Sequence, residues 1–174
     1  MGRVPRSSAR VVFVDPDDRV LLQLVADEAL GTTFWLTTGG GVDDGEDLVD
    51  AVIREVREET GFVLTPELLG RPVAEIDTEW SFRGVDYAGI DTVFFARVPH
   101  FEIDPSGQDE IEREIILGWR WWSVDELACT LEWIEPVELA TLVAEFIDSG
   151  RPVAPVRIVS RRPSPSSEPS AAPQ

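Results

Sequence analysis

Short apolar blocks separated by turn-forming clusters dominate the first half of the chain, and they have strand length. Residues 10–14 (RVVFV) and 19–25 (RVLLQLV) flank Asp15-Pro16-Asp17-Asp18, whose Pro and Asp residues favour a turn, so the two blocks predict a hairpin. Two more strand-like runs, 71–82 and 88–98, lie either side of an Arg83-Gly84-Val85-Asp86 break, and an aromatic-rich run at 117–122 predicts another strand. Ser123 followed three residues later by Glu126 has the form of a capping box opening a short helix. Pro136 suits the first turn of a further helix running to about Ser149 and stopping at Gly150.

Between these regions the period changes from 2 to 3.6. In GGGVDDGEDLVDAVIREVREETGF (residues 39–62) a glycine loop precedes a helix predicted over residues 48–60, with Asp47 as N-cap, Asp50 in the first turn and Gly61 as the left-handed stop. Glu55, Glu58 and Glu59 are spaced i, i+3 and i+4, which places three carboxylates in one sector about 100° wide. Val49, Val52, Ile53 and Val56 form a neighbouring apolar stripe that would seat the helix on a sheet, and Ala51 reads as lying on the acidic side. Like charges one turn apart repel, and they sit toward the negative end of the helix dipole. Arg54 borders the sector and can pair with one carboxylate, while a hard divalent cation would take oxygen ligands from the others.

The spacing from Gly40 through Glu46 to Arg54-Glu55-Val56, Glu58-Glu59 and Gly61-Phe62 resembles the Nudix box at every defining position. Weaker likeness extends to the N-terminal hairpin, Phe34-Trp35-Leu36, Trp121-Trp122-Ser123 and Glu126-Leu127, together covering most of residues 10–150. Thr38 stands where many members carry proline, and Asp43 where glutamate is common; neither departure removes a carboxylate of the helix.

The resemblance implies an α/β/α sandwich with a mixed β-sheet, the box forming a loop-helix-loop. It implies metal-dependent hydrolysis of a pyrophosphate bond in a nucleoside diphosphate linked to another moiety. Glu55, Glu58 and Glu59, with the backbone carbonyl of Gly39, would hold Mg²⁺, with Mn²⁺ as the alternative. Glu55 or Glu58 would also orient or deprotonate the attacking water, and Arg54 would hold the carboxylates in place. Family members often recruit one more acid from outside the box, and Glu112, in the acidic loop 108–114, is the residue expected here. Glu46 is expected to stabilise the box through Arg54 or loop amides. A nucleotide-sensing module without catalysis is the alternative on the same fold, disfavoured because all three helix carboxylates are present.

Composition narrows the partners. Of 174 residues 43% are hydrophobic and 28% charged, as in a folded domain, and no apolar run is long enough for a membrane span. A formal charge of −18 repels polyanions, so the expected partner is a small phosphorylated molecule rather than a nucleic-acid polymer or a membrane, with the protein a monomer or homodimer. The start of the chain lacks the features of a secretory signal and Cys129 has no disulfide partner, which together point to the cytoplasm and to Cys129 as a packing thiol. Residues 1–7 are expected to be flexible, 8–158 to form the catalytic domain, and the Pro/Ser-rich 159–174 to be a disordered tail. His100 reads as a surface residue, and Trp35, Trp80, Trp119, Trp121 and Trp122 as mostly core. Arg83 is a secondary candidate for a phosphate or ribose contact.

Overall fold

A computed structural model describes residues 2–160. The chain begins with strands β1 (Val4–Pro5), β2 (Ser8–Val14), β3 (Arg19–Asp27), β4 (Thr32–Leu36) and β5 (Thr38–Gly41), then enters helix α1 (Leu48–Thr60) and a single-turn helix α2 (Pro66–Leu69). A long hairpin follows, β6 (Ala74–Phe82) and β7 (Val85–Arg97), then a 3-10 turn at Pro105–Gly107 and helix α3 (Glu110–Ile115). The remainder is β8 (Ile116–Ser123), α4 (Val124–Cys129), β9 (Ile134–Glu135), α5 (Leu139–Ser149) and β10 (Val156–Val159).

These strands form one mixed, branched sheet. The path β10-β6-β7-β2-β3-β4-β9 carries three side pairings, β1 on β7, β5 on β2 and β8 on β3. The contact of β2 with β7 is parallel, whereas β6 with β7, β3 with β8 and β2 with β5 are antiparallel. Only Val14 and Val20 pair between β2 and β3, so the strands diverge beyond their turn and leave the edge of β2 for the glycines of β5.

Alternation along each strand feeds two cores. Val12, Val14, Val20, Leu22, Val93 and Phe95 face α4 and α5, while Val11, Phe13, Leu21, Phe94 and Ala96 face α1 and α2. Helices therefore cover both faces, which is the α/β/α sandwich with a mixed sheet that the resemblance implied.

Several local expectations are revised. The β6–β7 connection is only two residues, Arg83 and Gly84, at φ 49° and 78°, so Val85 and Asp86 belong to a strand; positive φ at both positions is the type I′ form of a two-residue turn. The helix assigned to Pro136 starts at Leu139, because Ile134–Glu135 first pair with Trp35 and Leu36 as a strand. Val4 and Pro5, placed by sequence in the flexible N-terminus, pair with Tyr87 and Ala88. At the other end β10 extends through Val159, and Ser160 donates its N–H to the Asp77 carbonyl at 2.9 Å, so pairing continues past residue 158. The rest of the expected tail lies outside the described residues.

Candidate functional site

The local sequence of α1 sets its ends as expected. Asp47 Oδ1 accepts hydrogen bonds from the N–H groups of Val49 and Asp50, both at 2.9 Å, and Gly61 closes the helix in the left-handed region at φ 71°. Ala51, Val52 and Val56 are fully buried against the sheet. Ala51 lies on the side of the glutamates, four residues before Glu55, and is itself buried: the helix sinks deep enough that two of the three glutamates go inward with it. Glu55 is 8% exposed and Glu59 3%, whereas the Glu58 side chain is 41% exposed.

The glycines of β5 make this burial possible. Gly39 has φ 122°, and a Cβ there would collide with the Ala9 carbonyl. At Gly40 a Cβ would lie 2.6 Å from Glu55 Oε2, so the carboxylate rests directly over bare backbone. Gly40→Ala is expected to push the Glu55 carboxylate aside and lower turnover by about 10²-fold with an unchanged circular dichroism spectrum. Turnover like that of the parent enzyme would show that the position of Glu55 does not matter.

Arg54 binds the acidic groups together. Its guanidinium grips Glu46 through two bonds of 2.9 Å and reaches Glu55 at 2.8 Å, Glu58 at 3.3 Å and the Gly41 carbonyl at 2.9 Å. Glu46 also accepts from the Asp43 N–H at 3.0 Å, so it serves both the arginine and the loop amide. The Arg54 hydrogen bonds hold Glu46 down at a pKa of about 2, and Glu46 in turn raises that of Arg54.

The stretch read as an acidic loop is helical: α3 is opened by a capping box in which Asp109 accepts from the Glu112 N–H at 2.7 Å and Glu112 Oε2 accepts from the Asp109 N–H at 2.8 Å. This pins Glu112 beside α1. One carboxylate oxygen from each of Glu55, Glu58 and Glu112 lies within 4.8 Å of the others. Burial raises the pKa of Glu55, opposed by Arg54, and burial likewise raises that of Glu112, with Asp109, Glu55 and Glu58 adding repulsion. Three clustered oxygen donors that repel one another are suited to a hard divalent cation.

Glu59 lies outside that triad. Its Oε2 accepts from the Gly39 N–H at 2.8 Å and its Oε1 from the Gln23 side-chain amide at 3.0 Å, and burial pushes its pKa up to about 8. The Gly39 carbonyl accepts from Arg10 at 2.8 Å, and Arg10 also pairs with Asp91 at 2.8 Å. Gln23 and Arg10 escaped the sequence reading. The signal available was a polar residue within each of two apolar strand blocks, RVLLQLV and RVVFV.

The other candidates make contacts of their own. Trp35 and Trp122 meet edge to face in the core at 5.1 Å, Trp121 packs against Phe101 and His100, and Trp80 stacks on Tyr87 in the β6–β7 hairpin. Trp119 sits opposite Gln23 in the β3–β8 pairing. Arg83 is paired with Glu114 at 2.6 Å, and His100 lies 3.2 Å from buried Asp15. Cys129 is exposed, at the end of α4, and so is not the packing thiol expected. A groove of about 710 Å³ runs beside α1, lined among others by Glu46, Arg54, Arg57, Glu58 and Ser106.

Residues 4–146 match the family model described as the NUDIX domain. The chain belongs to the Nudix family. An RNA pyrophosphohydrolase of Caulobacter vibrioides is 35% identical over 87% of this chain and 91% of that relative. An uncharacterized Nudix hydrolase, YvcI, of Bacillus subtilis is 42% identical over 31% of the chain and 32% of its own length. The MutT protein of Methanosarcina mazei Go1 shares the fold at a TM-score of 0.63 and 18% identity, over 87% of this chain and 99% of that one. An ADP-ribose pyrophosphatase of Streptococcus suis does so at 0.54 and 19%, over 90% and 99%. The chain is accordingly a Nudix hydrolase that cleaves pyrophosphate bonds, in a family that generally uses a divalent metal. No helix among its described residues is long and apolar enough to cross a membrane.

Proposed function

We propose that this Nudix hydrolase cleaves the pyrophosphate linkage of a small nucleoside diphosphate derivative in the cytoplasm, with Mg²⁺ as the resident ion and Mn²⁺ as a substitute. The observation that carries the reading is the convergence of Glu55 and Glu58 from α1 with Glu112 from α3 on one point within 4.8 Å, fastened by Arg54. Glu55, Glu58 and Glu112 would hold the ion, joined by Glu59 from below, since each oxygen of Glu59 accepts one hydrogen bond and keeps a second lone pair. The Gly39 carbonyl, which has one bond from Arg10, likewise keeps a lone pair for this role.

When bound, a divalent cation neutralises the phosphate oxygens and lowers the pKa of water. Glu55, raised in pKa by burial, is the residue assigned to orient the attacking water and take its proton. Water adds to phosphorus, the bridging P–O bond breaks, and two phosphate products leave. Arg54 holds Glu55 and Glu58 side by side by bridging them through Nη1, a positioning role. The dimeric or monomeric state does not enter this scheme, because every residue of the cluster comes from one chain.

A second reading is favoured by the likeness to the Caulobacter protein: the substrate is the 5′-triphosphate end of an RNA. The two readings are tested by incubating the enzyme and Mg²⁺ with nucleoside triphosphates, ADP-ribose, dinucleoside polyphosphates, nucleotide sugars and a 5′-triphosphorylated RNA, with products identified by mass. The small-molecule reading expects the highest kcat/KM on a member of the nucleotide panel. Should RNA be preferred, the charge of −18 predicts contact with the terminus and few backbone phosphates, seen as a log–log salt slope shallower than about −2. Cleavage of none of these compounds would reject both readings of the substrate.

A further inference from the structure

We propose that Gln23 is a positioning residue for the carboxylate of Glu59, holding it in the orientation from which it meets the cation; this rests on the reading of Glu59 as a metal ligand. Gln23 is in the middle of β3 and 3% exposed, on the face of the sheet that carries Leu21 and the α1 core. Its side-chain nitrogen lies 3.0 Å from Glu59 Oε1, a fully buried contact across 36 residues. Only the nitrogen end of an amide can donate to a carboxylate, so this bond fixes which way the amide is turned.

That orientation leaves the oxygen end of the amide without a partner. Gln23 Oε1 is buried without a hydrogen-bond partner, and so is the indole N–H of Trp119, the residue directly opposite on β8. An orphaned buried acceptor lowers stability, a cost that the bond from the other end of the amide to Glu59 offsets. The amide nitrogen is given to Glu59, whose other oxygen is fastened to the Gly39 N–H. Glu59 is thereby clamped from two sides, by the backbone of β5 and by the side chain of β3, and its remaining lone pairs have a defined direction. Second-sphere donors of this kind set the orientation and affinity of metal ligands.

The test uses Mn²⁺ binding to the metal-free protein, followed by calorimetry, beside thermal melts in chelator. Gln23→Met retains the volume and removes the donor; it is expected to weaken Mn²⁺ binding about tenfold, with a modest fall in the metal-free Tm because the buried Glu59 Oε1 loses its hydrogen bond. Gln23→Glu, which adds a like charge against Glu59, is expected to weaken it further. Because Gln23 acts through Glu59, the double variant Gln23→Met, Glu59→Gln should bind Mn²⁺ no more weakly than Glu59→Gln alone. Parent-like affinity in Gln23→Met or additive losses in the double variant would each overturn the proposal. Parent-like affinity in Glu59→Gln would instead remove Glu59 from the ligand set, a failure of the underlying reading that is distinguishable from failure of Gln23 alone.

Discussion

Glu58→Gln is expected to lower turnover by about 10²- to 10³-fold while leaving the fold and the metal-free Tm unchanged. Glu58 is the cleanest of the site carboxylates to alter. Its side chain is 41% exposed and its bond from Arg54 is long, at 3.3 Å, so an amide of the same shape leaves no buried donor without a partner. The charge it loses is the one that faces the cluster with Glu55 and Glu112. Alanine at Glu59 is a different experiment. It would strand the Gly39 N–H and the Gln23 amide in a closed interior, at about 1–3 kcal/mol for each unsatisfied group. Loss of activity there would mix chemistry with stability, and Glu59→Gln or Glu58→Gln separates them. Steady-state kinetics at saturating Mg²⁺ and a melt in chelator decide the matter: kcat within tenfold of the parent would remove Glu58 from the reaction.

Without metal, the protein should lose stability as pH rises from about 4.5 toward about 8, on the order of a few kcal/mol, and Mg²⁺ should restore much of it at the alkaline end. The largest contributor is Glu59, whose pKa rises from 4.5 in the free side chain to about 8 by burial. Between those values the folded state binds the proton more tightly than the unfolded state does, so unfolding releases it and higher pH favours unfolding. Glu55 and Glu112 are shifted in the same direction by burial and contribute with the same sign. Glu46 has the opposite sign: it is depressed to about 2 by Arg54, and its contribution is lost only as pH falls from 4.5 toward that value. Cation binding competes with protons for the raised carboxylates, so the Mg²⁺-induced rise in Tm should be several degrees larger at pH 8 than at pH 5.5. Equal rises at the two pH values would show that the ion does not bind at these groups.

Fold and chemistry were unequally legible in the chain. The limits of α1 followed from Asp47 and Gly61 because capping is local: the Asp47 side chain reaches only the next turn, and Gly61 alone tolerates the left-handed exit. The glycine run was readable as a loop but not as strand β5, since its pairing partner Ala9-Arg10-Val11 lies some thirty residues away. Glycines carry no side-chain signal for such pairing. Helix α3 was mistaken for a solvated loop because it is only six residues long and four of them are charged, so the one apolar pair at helical spacing, Ile111 and Ile115, is too short a repeat to mark a helix.

The sequence by itself determined the helix that presents Glu55, Glu58 and Glu59, its ends, the family to which the spacing belongs, and hence the reaction. All of these depend on residues within a few turns of one another. Tertiary structure alone decided that Glu55 and Glu59 are buried while Glu58 is half exposed, that Glu112 completes the cluster from α3, and that Gln23 and Arg10 brace Glu59 and Gly39 from β3 and β2. Those outcomes depend on how deeply α1 sinks onto bare glycine backbone and on which strands cross beneath it. Such distances arise from packing between segments far apart in the chain, and residue spacing does not encode them.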